Sequence, residues 1–197
     1  MNKIIISGKC SNITFSHKHK RKAYYTGFIT SERLSGTCDV LPLMFPSKFI
    51  EDIKEDCQIK IIGEVRTRNV TVGDRRKLEI YVFVKEIEEY DGKDVNDVEL
   101  NGYICKPTIY RKTPFCREIT DFILANNEKR KSHYIPSICW GMAARVVGEF
   151  EVGTQVRLLG RLQSREYVKH YEDGTEEQKI AYEVSAVYVS AISESEV

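Results

Sequence analysis

Two stretches of this chain alternate with a period of two around a glycine, and this repeated pattern constrains the fold more than any other feature. Residues 155–167, QVRLLGRLQSREY, put Val156, Leu158, Gly160 and Leu162 on one side of an extended strand. Arg157, Leu159, Arg161, Gln163, Arg165 and Tyr167 fall on the other side. Residues 58–70 repeat the pattern, with Ile59, Ile61, Gly63 and Val65 inward. Laid on each other, Val65-Arg66-Thr67-Arg68 meets Leu162-Gln163-Ser164-Arg165, Gly8 meets Gly102, and Phe45 meets Trp140. Self-similarity of this kind marks an internal duplication, and 197 residues suffice for two small cores.

The elements follow in order. Strands are predicted over Lys3–Cys10, Tyr24–Glu32, Thr37–Phe45, Gln58–Val70 and Lys77–Glu89, with Pro46 and Ser47 opening a helix through Asp56. Residues 16–22, SHKHKRK, read as a charged loop. In the second half Tyr134–Trp140 is a strand stopped by Gly141, Met142–Phe150 has apolar residues at helical spacing, and Gly153 resets the backbone. The polar stretch Asp91–Asp97 reads as a linker. The expectation is an all-β chain with one short helix per domain: residues 1–90, a linker over 91–97, and residues 98–197.

The aromatic-x5-aromatic-Gly pattern at Tyr134 and Trp140, the short helix after it, GRLQSREY at 160–167 and the later Tyr182-Glu183-Val184 resemble the bacterial single-stranded DNA-binding proteins (SSB). The resemblance runs from about Val98 to Ile192. It implies tandem OB folds, five-stranded barrels that bind single strands on one face. It places base stacking on Tyr134, Trp140 and Tyr167, with Arg161, Arg165 and Arg145 at phosphates and Arg111, Lys112 and Arg117 as weaker candidates. In the first half, Asp39 and Val70 stand at the positions of Tyr134 and Tyr167, leaving Phe45, Arg66, Arg68 and the Arg75–Lys77 cluster as its binding residues. The second half is therefore expected to dominate. Four-barrel assembly in the family implies a homodimer of this chain, presenting four OB domains. The chain ends in SAISESEV rather than in the family's long tail with its acidic, aromatic tip, so a specialised or accessory member is expected.

Composition sets limits. A net charge of +1 exerts no strong pull on a polyanion, so nucleic-acid binding has to come from locally arranged cations. The six cysteines form no CxxC pair and no Cys/His cluster at zinc spacing, and read as small buried hydrophobes. The sequence carries no Gly-rich phosphate loop, GxSxG or HExxH, so neither enzyme activity nor a cofactor or metal is expected. No apolar run reaches the roughly 18 residues that span a bilayer, and the sequence points to a cytoplasmic, nucleoid-associated protein. The function implied is sequence-independent single-stranded DNA binding in replication, recombination or repair. The alternatives are an RNA-binding or primosome-accessory OB protein, and a structural module that contacts only protein.

Overall fold

The computed structural model describes residues 1–73, 75–128, 131–171 and 173–192, without the side chains of Val72 and Arg75. Lys129, Arg130 and the acidic end at Glu194 and Glu196 lie outside the described residues, as does the Arg75 side chain of the Arg75–Lys77 cluster. Among the described residues there are eleven strands, one α-helix and one short 3-10 turn. They are β1 (Asn2–His19), β2 (Lys22–Glu32), β3 (Cys38–Pro46), β4 (Gln58–Val72), β5 (Arg75–Glu88), β6 (Asn96–Ile104), β7 (Ile109–Lys112), β8 (Glu118–Glu128), β9 (Lys131–Trp140), α1 (Gly141–Gly148), β10 (Gln155–His170) and β11 (Glu176–Ala191).

The strand pairings close on themselves twice. β1 pairs with both β2 and β4, and the circuit is completed through β3 and β5, whose short contact is parallel. The same circuit recurs as β6–β8–β9–β11–β10, again with one parallel contact, between β9 and β11. This is the five-stranded closed barrel of the OB fold. Closure requires β4 and β10 to bend sharply, and the two glycines of the repeat sit where they do. The ladder shifts register at Gly63 and at Gly160, and a Cβ there would stand 2.6 Å from Phe83 O and 2.3 Å from Ser185 O.

The two circuits form one sheet, because β1 and β6 pair antiparallel from Asn2↔Leu100 to Ile6↔Asn96, centred on Ile4↔Val98. Matched hydrogen bonds recur on each side of this seam. The Asn2 side chain brackets the Val65 backbone at 2.9 Å twice, and Asn96 does the same to Leu162 at 2.7 and 3.0 Å. The Ser164 N–H donates to Asp39 Oδ1 at 2.9 Å, while the Thr67 N–H donates to His133 Nδ1 at 2.9 Å. An approximate two-fold therefore relates the circuits, and each docks the outer end of its fourth strand against the third strand of the other.

Four expectations need correction. Phe45 is not the counterpart of Trp140. The pairings Thr30↔Val40 and Ala125↔Tyr134, with Leu43↔Val82 and Ser137↔Val184, match Phe45 to Cys139, Pro46 to Trp140, and Val40 rather than Asp39 to Tyr134. A slip of one residue exchanges strand faces, so Phe45 is 0% exposed and Trp140 43%. Phe45 lies inside the core, stacked on Tyr25, and offers no face to a base. Residues 16–22 are not a loop but the end of the β1–β2 hairpin, turned by left-handed Lys20 (φ 43°) and Arg21 (φ 66°). The helix after Pro46 is only a 3-10 turn over Ser47–Phe49, and the chain leaves it through turns to left-handed Asp56. The linker is also held: the Ser7 hydroxyl donates to Lys93 O at 2.9 Å, and Asn96 and Asp97 already belong to β6.

The Phe45 register has a direct test. Phe45→Ala should cost about 3–5 kcal/mol in urea unfolding, as expected for a buried phenylalanine, whereas Trp140→Ala should cost far less. Equal losses would contradict the register.

Candidate nucleic-acid interface

β9 carries two of the aromatic candidates. Tyr134 (48% exposed) and Trp140 point to the same side, six residues apart. Pro136 does not interrupt the strand, because residues 131–136 have no partner on the β11 side and no ladder bond there needs its missing N–H. Trp140 immediately precedes left-handed Gly141 (φ 58°), which turns the chain into α1.

Around Trp140 the cations are held by acids. Arg145 Nε donates to Glu118 at 2.6 Å, and the Tyr110 hydroxyl donates to the same carboxylate at 2.7 Å. These two bonds, the tyrosine's first, hold Glu118 below the usual carboxylate range. Arg111 donates to Asp121 at 2.9 Å, while Lys112 and Arg117 are exposed close by at the start of β8. Arg145, Arg111, Lys112 and Arg117 thus border the Trp140 end of β9.

The other candidates gather where the circuits meet. The Tyr134 N–H donates to Thr67 Oγ1 at 3.1 Å, and Thr67 lies between Arg66 and Arg68. Two arginines of the first circuit are thereby brought to an aromatic of the second. Arg66 is bonded to Glu64 and covers the Phe83 ring at 3.9 Å; Arg68 donates to Glu79 at 2.9 Å and lies 5.8 Å from the Tyr81 ring. Tyr167 (38% exposed) lines a cleft of about 860 Å³ between the circuits, together with Phe28, Pro42, Tyr81 and Tyr182. Pro136 and Arg68 border the same cleft.

The cationic row of β10 does not form one open strip. Arg157 pairs with Glu99 at 2.8 Å, Gln163 is buried and donates to Glu183 at 2.9 Å, and Arg165 reaches the same glutamate at 3.3 Å while lying 5.8 Å from the Tyr167 ring. Arg161 is half-buried beside Arg33 and Asp39 of the first circuit, and burial followed by the Arg33 charge lowers its affinity for its proton. The cause is the inter-circuit contact at Ser164, which covers the middle of the row. Sequence reading passed over Tyr24, Phe28, Tyr81 and Phe83. The signal for the last two was present in β5, where Ile80, Val82 and Val84 point inward and so leave Tyr81 and Phe83 pointing outward.

Two of the six cysteines, Cys10 and Cys139, are buried, and burial pushes the Cys139 thiol up to about 12. Among the described residues no cluster of His, Cys, Asp and Glu is placed to hold a metal, and no helix is long and apolar enough to cross a membrane.

Over 98% of its length the chain shares its fold with the wild-type single-stranded DNA binding protein from Thermus aquaticus (17% identity, 94% of that chain, TM-score 0.78). A deletion mutant of the same Thermus aquaticus protein matches similarly (17% identity, 98% of this chain and 95% of that one, TM-score 0.75). No curated protein matches the chain in sequence. Residues 95–192 match the family model of the Single-strand binding protein family.

His133, buried in the seam between the circuits, gives a pH prediction. Its Nδ1 lies 2.9 Å from the Thr67 N and 3.2 Å from the Thr67 O, and it accepts the N–H only when unprotonated. Burial first, then Lys131, lowers its basicity; Arg66 adds to this, while Glu128 and a bond to the Thr67 backbone oppose it. The unfolded chain therefore binds the proton more readily than the folded one. The stability from His133 is complete above the ordinary value of 6.5 and is lost as pH falls from there towards the lowered folded value. Thermal melts should show Tm dropping below that pH, and His133→Asn should flatten the drop; an unchanged profile in the variant would contradict the assignment.

Proposed function

We propose that the chain binds single-stranded DNA without sequence preference, and acts by binding rather than by catalysis. The observation that carries the reading is the pair of exposed rings, Tyr134 and Trp140, on one side of β9, within the segment that matches the single-strand binding family. Solved structures of the single-stranded DNA binding protein from Thermus aquaticus have the same fold over nearly the whole chain, which supports it. Bases stack on Tyr134, Trp140 and Tyr167, each stack contributing about 1–3 kcal/mol. Arg145, Arg111, Lys112 and Arg117 serve phosphates near Trp140, and Arg165, Arg161, Arg66 and Arg68 serve them at the seam. Where these arginines are paired with carboxylates, DNA phosphate competes with the acid, which lowers the net gain at each phosphate.

In this reading the two circuits are tandem OB domains, residues 1–90 and 98–197, and the second anchors the strand. Two chains join as a homodimer through the outer face of the sheet continued across β1 and β6, where Ile5, Ile62 and Leu159 are half-buried and Tyr188 is exposed. The work is replication, recombination or repair. RNA is the second reading, because neither rings nor arginines specify the sugar; oligo-U competing equally with oligo-dT would favour it.

Salt dependence separates the roles. For single strands the slope of log K against log salt is about −0.7 per phosphate neutralised. Arg165→Ala should flatten the slope, while Tyr134→Ala and Tyr167→Ala should each weaken oligo-dT binding about 5- to 150-fold, the loss of one stack, with little change in slope. The opposite pattern would refute the assignment.

A further inference from the structure

A line of rings and cations crosses the outer face of the first circuit and has no counterpart in the second. His17 stacks on Tyr24, with centroids 5.1 Å apart and planes within 14°. Tyr24 lies 6.4 Å from Phe83. The Arg66 guanidinium covers Phe83 at 3.9 Å, and Lys85 Nζ lies 5.9 Å from the same ring. By the strand registers, the second circuit has Ile119 for Tyr24, Ser185 for Phe83, Gln163 for Arg66 and Val187 for Lys85. None of these is aromatic or cationic.

The two ends of the line meet features of different kinds. At one end is the tip of the β1–β2 hairpin, where Lys18, Lys20, Arg21 and Lys22 are exposed and form no ion pair among the described residues. No Asp or Glu occurs between Lys9 and Ser31. At the other end Arg66 adjoins Thr67, which accepts the Tyr134 N–H. The line thus connects an aromatic of the second circuit with the four cations of the first circuit's hairpin tip.

We propose that a single strand held at Tyr134 continues over Arg66, Phe83 and Tyr24 onto the β1–β2 hairpin, so that one strand engages both circuits. The proposal rests on the single-strand reading above and extends its site. The division of labour follows from the charges. Glu64 binds both Arg66 and Lys85 (the latter at 2.8 Å), and Glu128 lies 3.8 Å from Arg66, so the middle of the path is already neutralised. It offers flat surfaces to bases. Arg66, paired with these acids, is the weaker phosphate site, and the phosphates beyond it are neutralised at the hairpin, where no carboxylate competes.

The test uses the full chain and oligo-dT of increasing length. Lys18→Gln, Lys20→Asn, Arg21→Gly and Lys22→Gln are combined in one variant, since Asn-Gly suits a two-residue left-handed turn and preserves the hairpin. For long oligonucleotides the slope of log K against log salt should flatten by about 2 to 3, at roughly 0.7 for each phosphate that is no longer neutralised. Oligonucleotides short enough to occupy only Tyr134 and Trp140 should bind as before. Independently, long oligonucleotides carrying 5-iodouracil should photo-cross-link to Tyr24 or Phe83 of the unaltered chain. An unchanged slope at every length, with cross-links confined to residues 134–167, overturns the proposal while leaving the single-strand reading intact. Failure of the unaltered chain to bind any oligo-dT overturns both.

Discussion

The antiparallel pairing of β1 with β6 is the constraint on which the rest of the structure depends. It joins two closed circuits into one sheet and sets them about an approximate two-fold at Ile4 and Val98. Once that seam is fixed, the outer end of each fourth strand lies against the third strand of the other circuit. The N–H groups of Thr67 and Ser164, beyond the ends of the β1–β4 and β6–β10 ladders, then need partners. His133 and Asp39, at matched positions, supply them with different chemistry: an imidazole nitrogen on one side, and on the other a carboxylate held by Arg33 at 2.6 Å. The symmetry is one of backbone. The side chains have diverged on it.

That divergence shapes the candidate surface. The second circuit keeps its rings on β9, with Tyr134 and Trp140 exposed, whereas the first has Val40 and Pro46 at the matched positions and carries its rings on β2 and β5 instead. Because the seam puts Tyr134 beside Thr67, the arginines flanking Thr67 serve an aromatic outside their own barrel. Neither circuit taken alone would bring Arg66 to Tyr134, or Tyr167 to the cleft beside Phe28 and Pro42.

Much of this was legible in the sequence, and the failures have physical causes. The alternation around Gly63 and Gly160 identified the strands that bend, because barrel closure leaves no room for a Cβ beside Phe83 O and Ser185 O. The inner residues Val156, Leu158 and Leu162 followed from the same period. Pairing Phe45 with Trp140 failed because chemical likeness, a large aromatic before a turn, outweighed strand parity; the slip placed a core residue on the surface. The β1–β2 hairpin was hidden by its cations, which mimic a solvated loop although Phe15, Tyr24 and Tyr25 flank it. The covering of Arg161 and Gln163 could not be read at all. Alternation tells which side of a strand faces its own core, but not what a neighbouring barrel lays over the other side.

The central claim is that exposed rings on β9 receive unpaired bases. Trp140 is the only tryptophan in the chain, so its emission reports on that surface alone. Titration with oligo-dT should quench it saturably, with an apparent affinity that falls as salt is raised. Emission that stays unchanged through saturating oligo-dT, with binding established independently by sedimentation, would place the strand elsewhere and contradict the account.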